Sequence, residues 1–164
     1  QVARKEGLIQ IAQVFQLTAA NEEVHAKEFF KAMNEGNLNQ RTVDIGADFP
    51  VALNDTLTNL ESAAQGEHEE YAALYPQFGQ IAAEEGFPGI AKLFQNIASI
   101  EKNHEERFLA FYDLVKKNQL LKKDVEIAWV CSVCGYVHTG MEPPQICPVC
   151  KHEKGYYQVD IKAY

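Results

Sequence analysis

Apolar side chains recur every three or four residues over three long stretches of the chain, which is the spacing of amphipathic helices. The predicted helices run from Leu8 to near Gly36, from Val51 or Thr56 to Glu85, and from Pro88 to about Asn118. Residues 3–6 have the character of the end of an earlier helix, because Gly7 follows them as a left-handed cap. We expect residues 36–50, which contain Gly46 and Pro50, to form a connection that crosses a helical bundle.

The pattern changes after Asp124, where apolar and polar residues begin to alternate. Residues 125–130 and 156–161 alternate in this way and predict two short strands. We therefore expect a helical domain over residues 1–122 and a small β-rich module over residues 125–164. About 40 residues are too few for a stable hydrophobic core without additional stabilisation, and a bound metal would supply that stabilisation.

The first and third predicted helices are copies of one unit. Residues 6–17 read EGLIQIAQVFQL, and residues 85–96 read EGFPGIAKLFQN in the same frame. The matching positions keep a constant offset of 79 residues (104 minus 25), and they include Glu22 with Glu101 and His25 with His104. Two helical units that each carry a carboxylate and an imidazole one turn apart predict a pseudo-two-fold bundle with two facing half-sites.

These Glu-x-x-His motifs lie on the apolar faces of their helices, whereas a single motif of this kind is usually a solvated pair. The second predicted helix adds Glu67 and Glu70 on its own apolar face. Buried carboxylates are costly unless a cation or a proton neutralises them. Four helices that each lend a glutamate, two of them with a histidine at i+3, form the di-iron or di-manganese carboxylate site.

Three of those four helices are present in the sequence. The repeat places the partner of Glu67 at position −12 (67 minus 79), before the first residue, so one carboxylate ligand is expected to be missing. Tyr75 lies two turns after Glu67 and would either hydrogen-bond a metal-bound carboxylate or be an ordinary core tyrosine. His68 is expected to face away from the site.

The strongest local signal is a pair of Cys-x-x-Cys motifs separated by twelve residues, with the cysteines at Cys131, Cys134, Cys147 and Cys150. Four cysteines crowded into one short segment indicate a four-thiolate metal site more than a disulfide framework. The spacing alone does not separate iron from a structural zinc ribbon. Thiolates kept for a metal need a reducing interior, so a cytoplasmic location is expected.

The composition excludes several classes of protein. The chain has 164 residues with 46% hydrophobic content, which is enough for a folded core. Its formal net charge of −8 argues against nucleic acid as a main partner. No apolar run is long enough to span a membrane. The opening residues read as the middle of something longer, in agreement with the missing ligand.

Taken together, these residues resemble the rubrerythrin family. The segments that carry the resemblance cover nearly the whole chain in the right order, and they are NEEVHAKEFF, GEHEEYAALYP, EEGFPGIAKLF, EKNHEERF and CSVCGY with CPVC. The resemblance implies a mainly α protein: a ferritin-like antiparallel four-helix bundle, here with its first helix largely absent, and a C-terminal rubredoxin-like domain. It also implies two irons in the bundle and one iron held by the four cysteines.

By the same resemblance, Glu22 and Glu101 are bridging carboxylates, Glu67 is a terminal ligand and His104 binds one iron. Glu70 would exchange with His25 on the other iron as the site is oxidised and reduced, and Tyr75 would support this chemistry.

The implied activity is a peroxidase that reduces hydrogen peroxide in oxidative-stress protection. Electrons would arrive through the four-thiolate iron from rubredoxin or an NADH-dependent reductase. The family also implies a homodimer or higher oligomer, in which subunits exchange helices. Two alternatives remain open: a ferroxidase or iron-handling ferritin-like protein, and a di-metal bundle with a structural zinc ribbon.

Overall fold

The structure, a computed structural model, describes residues 1–35, 42, 44, 46, 51 and 53–160. The predicted connection over residues 36–50 falls almost entirely outside this range, and so does the last residue of the second predicted strand. Within the described parts, none of the helices is both long and apolar enough to cross a membrane.

The helices form where the apolar periodicity predicts them. Their bounds are α1, Val2–Lys5; α2, Ile9–Glu35; α3, Thr56–Glu69; a π-helical turn, Glu70–Leu74; α4, Tyr75–Glu84; and α5, Pro88–Lys116. The predicted second helix is therefore not regular, because the π-helical turn interrupts it between α3 and α4. Asp55 caps the start of α3, where its Oδ1 accepts a 2.8 Å hydrogen bond from the backbone N–H of Thr58.

The internal repeat is also present in the backbone. Gly7 and Gly86 both adopt left-handed conformations, with φ of 74° and 85°. The turn after α1 has a 2.7 Å hydrogen bond from Leu8 N to Ala3 O, and the turn after α4 has a 2.8 Å bond from Phe87 N to Ala82 O. These are the same glycine-capped helix ends. The two copies thus share a turn as well as a helix.

The C-terminal module is a three-stranded antiparallel sheet. The strands are β1, Ile127–Cys131; β2, Val137–Gly140; and β3, Tyr157–Val159, in the order β2-β1-β3. The prediction missed β2, which has only four residues. The small core consists of the residues Trp129, Cys131, Cys147 and Tyr157, each no more than 1% exposed. Two of these four core residues are cysteines, so the metal-binding side chains are part of the core.

The chain divides into two compact units. One contains Gln1–Gln16, Asn54–Glu61 and Phe108–Tyr164, and the other contains Leu17–Leu53 and Ser62–Arg107. All the glutamates and histidines of the predicted di-metal site belong to the second unit, and all four cysteines belong to the first. The predicted division into residues 1–122 and 125–164 is not tested by these units and stays a prediction.

Candidate metal centres

The two Glu-x-x-His motifs meet face to face between α2 and α5. Each glutamate presents one carboxylate oxygen to each histidine. Glu22 lies 3.0 Å from Nδ1 of His25 and 3.0 Å from Nδ1 of His104, through different oxygens. Glu101 does the same at 2.9 Å and 2.9 Å. The two imidazole rings stack with centroids 5.9 Å apart. The arrangement has the two-fold character that the sequence repeat predicts.

The cluster contains buried polar atoms without hydrogen-bond partners among the described residues. They include both oxygens of Glu101 and Nδ1 of His104, although the nearest nitrogen and oxygen atoms are only about 3 Å apart. These atoms therefore converge on one space without a well-aligned hydrogen bond. Orphaned buried donors and acceptors are rare in folded proteins and need an explanation. A metal cation would satisfy several of these atoms at once, so the residues fit a metal site.

The pKa values of the cluster also indicate that its carboxylates need a neutralising positive charge. Burial, together with the neighbouring carboxylates of Glu22 and Glu70, raises the pKa of Glu67 to about 8. Burial and the same neighbours raise the pKa of Glu101 to about 9. Burial also lowers the pKa of His104, which favours the neutral imidazole that metals bind. Without cations, the site therefore holds protons on its carboxylates.

The second predicted helix delivers Glu67 and Glu70 to the same cluster. Glu67 Oε2 lies 3.5 Å from Nδ1 of His104, and ligand atoms from Glu22, Glu67, Glu101 and His104 all lie within 4.8 Å of one another. Glu70 lies near His25, since the imidazole influences its pKa, which burial raises overall. The cluster thus has a His104–Glu67 half and a His25–Glu70 half.

The π-helical turn explains how Tyr75 reaches this site. The backbone N–H of Tyr75 bonds to the carbonyl of Glu70, five residues earlier, instead of four. This wider turn brings Tyr75 over Glu70, and the phenol donates a hydrogen bond to that carboxylate. Burial raises the pKa of Tyr75 well above its usual range, so the phenol remains a donor. Its ring packs against Phe29 and Phe94, with centroids 5.7 Å and 5.8 Å away.

Two other features lie around the cluster. His68 is 56% exposed and pairs with Glu105 at 2.9 Å, on the outer side of the helices. Arg107 donates a 2.7 Å hydrogen bond from Nη2 to Thr18 Oγ1. Arg107 is not among the site residues predicted from the sequence. The available signal is its position one turn after His104, on a helix face that is otherwise apolar or metal-binding.

The four cysteines of the module form a second cluster. All four are free thiols, and their sulfur atoms lie within 4.8 Å of one another. The Cys131–Cys150 and Cys134–Cys147 sulfur distances are 3.6 Å and 3.7 Å. Four sulfurs in a tetrahedron at 2.3 Å from one metal are about 3.8 Å apart, so the spacing fits a single tetrahedral ion. It is far too long for disulfides.

The backbone around the sulfurs is organised as two similar turns. The N–H of Gly135 donates to Cys131 O, and the N–H of Lys151 donates to Cys147 O, at 2.9 Å and 3.0 Å. Both donors have positive φ, 75° and 63°. Lys151 adopts this conformation although it is not glycine, which indicates that the turn is held firmly.

The thiols of Cys147 and Cys150 have different pKa values. Burial alone would raise the pKa of Cys147, but the backbone amides of Cys150 and Val149 and the Tyr157 hydroxyl outweigh it and lower the pKa to about 6. The backbone amide of His152 favours the Cys150 thiolate. Burial and the three neighbouring sulfurs nevertheless raise the pKa of Cys150 to about 12. Without a cation among the sulfurs, Cys150 therefore keeps its proton at neutral pH.

Together, the fold and the two clusters define a class of protein: a ferritin-like carboxylate bundle joined to a rubredoxin-like module. The comparisons with known families agree. The family model described as Rubrerythrin matches residues 1–112, and the model described as Rubrerythrin, rubredoxin-like domain, matches residues 129–158. The chain belongs to the rubrerythrin family. The carboxylate–histidine cluster fits the di-iron site of that family, and the four-cysteine cluster fits its rubredoxin-like site.

Curated relatives and solved structures give the same result. Rubrerythrin-1 of Clostridium acetobutylicum is 44% identical over 163 residues, which covers 99% of this chain and 83% of that protein. Rubrerythrin of Clostridium perfringens has the same identity and coverage. A structure of nigerythrin in a mixed-valence state superposes with a TM-score of 0.60 at 31% identity, over 97% of this chain and 74% of that chain. A fully reduced, all-ferrous nigerythrin structure gives 0.59 at 32% identity, over 96% and 74% of the respective chains.

Proposed function

We propose that this protein is a peroxidase that reduces hydrogen peroxide to water, with electrons relayed through the iron of the four-cysteine module. The observation that carries the proposal is the presence of both clusters in one chain, with Glu70 as an extra carboxylate beside His25. Iron storage or ferroxidase chemistry uses the same kind of bundle without needing the cysteines or the extra glutamate. A pair of ferrous ions would supply two electrons, and hydrogen peroxide with two protons would become two water molecules.

The side chains of the cluster would divide the work. Glu22 and Glu101 each reach both halves of the site, so we assign them as the carboxylates that hold the two metals together. Glu67 and His104 would complete one metal position. Glu70 and His25 would serve the other in turn, with Glu70 preferred in the ferric state and His25 in the ferrous state. The charged oxygen ligand suits the higher metal charge, and the neutral imidazole suits the lower one.

Tyr75 would keep Glu70 ready for this exchange. Its phenol donates to the Glu70 carboxylate and remains protonated at neutral pH, because burial raises its pKa. The aromatic rings of Phe29 and Phe94 restrict the phenol and limit the access of water. Tyr75 is thus proposed as a positioning residue for the exchanging carboxylate.

We further propose a cytoplasmic protein that receives electrons from rubredoxin or an NADH-dependent reductase and works as a homodimer or higher oligomer. The four cysteines are free thiols, and a reducing compartment keeps thiols in that state, which supports the location. Exposed Val133 and Cys134 provide a small apolar surface near one sulfur of the module, which supports contact with a donor protein.

The proposal is tested with Glu70→Ala in the iron-loaded protein. We expect two metals to remain bound through Glu22, Glu67, Glu101 and His104, while reoxidation of the reduced protein by hydrogen peroxide slows by at least roughly tenfold, the size of a lost interaction of about 1.4 kcal/mol. Stopped-flow absorbance follows the reaction, and metal analysis gives the occupancy. Glu69→Ala is the matched control, because Glu69 is exposed and precedes Glu70 by one residue.

Full peroxide reactivity in Glu70→Ala would contradict the assigned role of Glu70. A wild-type protein that reacts faster with oxygen than with peroxide, and that accumulates ferric iron beyond the two bound ions, would instead be an iron-handling ferritin-like protein. A colourless module with bound zinc would exclude the electron relay.

A further inference from the structure

Arg107 brings a positive charge into the helical unit, one turn beyond His104 on α5. Its hydrogen-bond acceptor, Thr18, is only 5% exposed and lies on α2 one turn before Glu22. The Nε atom of Arg107 is fully enclosed and has no hydrogen-bond partner in the part of the chain that the structure describes. A partly buried guanidinium that donates to a neutral hydroxyl is costly, so this arrangement needs an explanation beyond packing.

The internal repeat shows what the other half-site has at the corresponding place. Subtracting the 79-residue offset from 107 gives Glu28, and adding it to 18 gives Ile97. The Glu28 side chain is 41% exposed and accepts a 2.7 Å hydrogen bond from Lys31. Ile97 is apolar and 3% exposed. One half therefore has a cation bonded to a buried hydroxyl, whereas the other has a surface carboxylate and an isoleucine.

The charge of Arg107 acts on the His104–Glu67 half. Arg107 follows the ligand His104 by one turn on α5, and Thr18 on α2 accepts a 2.7 Å hydrogen bond from its guanidinium. In the His25–Glu70 half, the extra carboxylate of Glu70 adds negative charge instead. The two halves thus match in their histidines and bridging glutamates but differ in the charge beside them.

We infer that Arg107, held in place by Thr18, makes the two metal positions electrostatically unequal, so that the iron bound by Glu67 and His104 has the higher reduction potential. A nearby positive charge repels a ferric ion more strongly than a ferrous ion, and this raises the potential of the closer metal. Glu70 acts in the same direction, because its negative charge favours the ferric ion beside His25. The inference depends on the di-metal centre and not on the proposed reaction with peroxide.

A redox titration of the iron-loaded, full-length protein, monitored by EPR, measures the two potentials and the population of the mixed-valence state. Arg107→Met removes the charge and keeps an unbranched side chain. We expect this variant to lower the higher potential and to reduce the comproportionation constant by roughly tenfold, which is about 59 mV for a one-electron couple. Arg107→Lys and Thr18→Val retain the charge and are expected to retain most of the wild-type separation. Glu28→Gln, at the matching position of the other half, is the control.

Equal shifts of both potentials in Arg107→Met would overturn the inference, as would an Arg107→Lys variant that loses the separation completely. In either case, Arg107 would be only a structural link between two helices. The double variant Glu28→Arg with Ile97→Thr provides a second test if Arg107→Met fails to fold. This variant places an arginine and a threonine at the matching positions of the other half, and it should reduce the difference between the two reduction potentials. An unchanged separation in this folded variant would contradict the inference.

Discussion

The two metal centres are assembled from ligands at very different distances along the chain. The carboxylate–histidine cluster draws its histidines and glutamates from three helical segments, up to 82 residues apart (104 minus 22). The first and the last of the four cysteines are only 19 positions apart (150 minus 131). Apolar side chains such as Leu60, Ile97 and Phe108 are buried along the helices that carry the first cluster, whereas cysteines make up half of the small core of the module.

The two regions therefore depend on a bound metal for their stability to different degrees. The helices bury enough apolar surface to form without metal. In the metal-free protein, the buried carboxylates of the cluster lower the stability of these helices. In the module, a metal replaces the missing hydrophobic core. Removal of the metal should therefore unfold the module. The helices should remain folded without metal, with protons on their buried glutamates.

The largest expected effect is in the module. Cys134→Ser should abolish the colour of the ferric four-thiolate centre and destabilise the module on the order of 10 kcal/mol, because metal binding is folding energy there. Trp129 is the only tryptophan of the chain and is fully buried in this module, so its fluorescence should shift to the red. Far-UV circular dichroism should show that the helices are retained.

Val133→Ser is the matched control for this experiment, since it adds the same side chain to the same turn without removing a sulfur. A loss of helix that accompanies the loss of colour would show that the module and the helices are not separate folding units.

The next effect is the pH dependence of the metal-free protein. The pKa values of Glu67 and Glu101 rise from 4.5 to about 8 and about 9 on folding, so the folded state holds protons that the unfolded state has released. The contribution of these two carboxyl groups to the free energy of unfolding is fully present below pH 4.5. It is lost as the pH rises through 8 and 9. Between pH 6.5 and 8, the free energy of unfolding should fall by roughly 1.4 kcal/mol per pH unit for each neutral carboxyl.

Urea titrations across this range measure the slope. His104 opposes it only near pH 6.5, where the imidazole of the unfolded state is still partly protonated and the lowered pKa keeps that of the folded state neutral. Glu101→Gln should halve the slope and prevent metal binding. Saturation with Mn²⁺ should remove the slope in the wild type. A metal-free protein that becomes more stable from pH 6.5 to 8 would show that these glutamates are already ionised.

The smallest effect concerns Tyr75. Tyr75→Phe removes the hydrogen bond to Glu70 and should cost about 1 kcal/mol of stability in the metal-free protein. It should leave the four-thiolate spectrum unchanged. Thermal unfolding and the visible spectrum check both expectations. Tyr71→Phe, on the exposed side of the same turn, provides the comparison, because Tyr71 contacts His68 at 3.2 Å outside the cluster.

The sequence predicts the helices, the module and both clusters because each depends on a repeated pattern. Apolar periodicity predicts α2 and α5, and the 79-residue offset relates their Glu-x-x-His motifs. The cysteine spacing predicts the second cluster directly. The π-helical turn could not be predicted in this way, since EYAAL has the composition of an ordinary helix. The Arg107–Thr18 bond was also missed, because a hydrogen bond between residues 89 positions apart leaves no local pattern.

The π-helical turn also makes the number of residues in its segment matter as much as their identity. An ordinary helix would need one residue fewer over the turn that contains Glu70 to Leu74. Deletion of Ala72 or Ala73, both exposed, would therefore produce a more regular helix with every functional side chain still present. Tyr75 would then follow Glu70 by four residues, a spacing that an α-helix places on one face, so the phenol would stay beside its carboxylate. The opposite change, a straightening of this turn into an α-helix without loss of a residue, would move Tyr75 about 140° around the helix axis from Glu70, because five residues span about 1.4 helical turns.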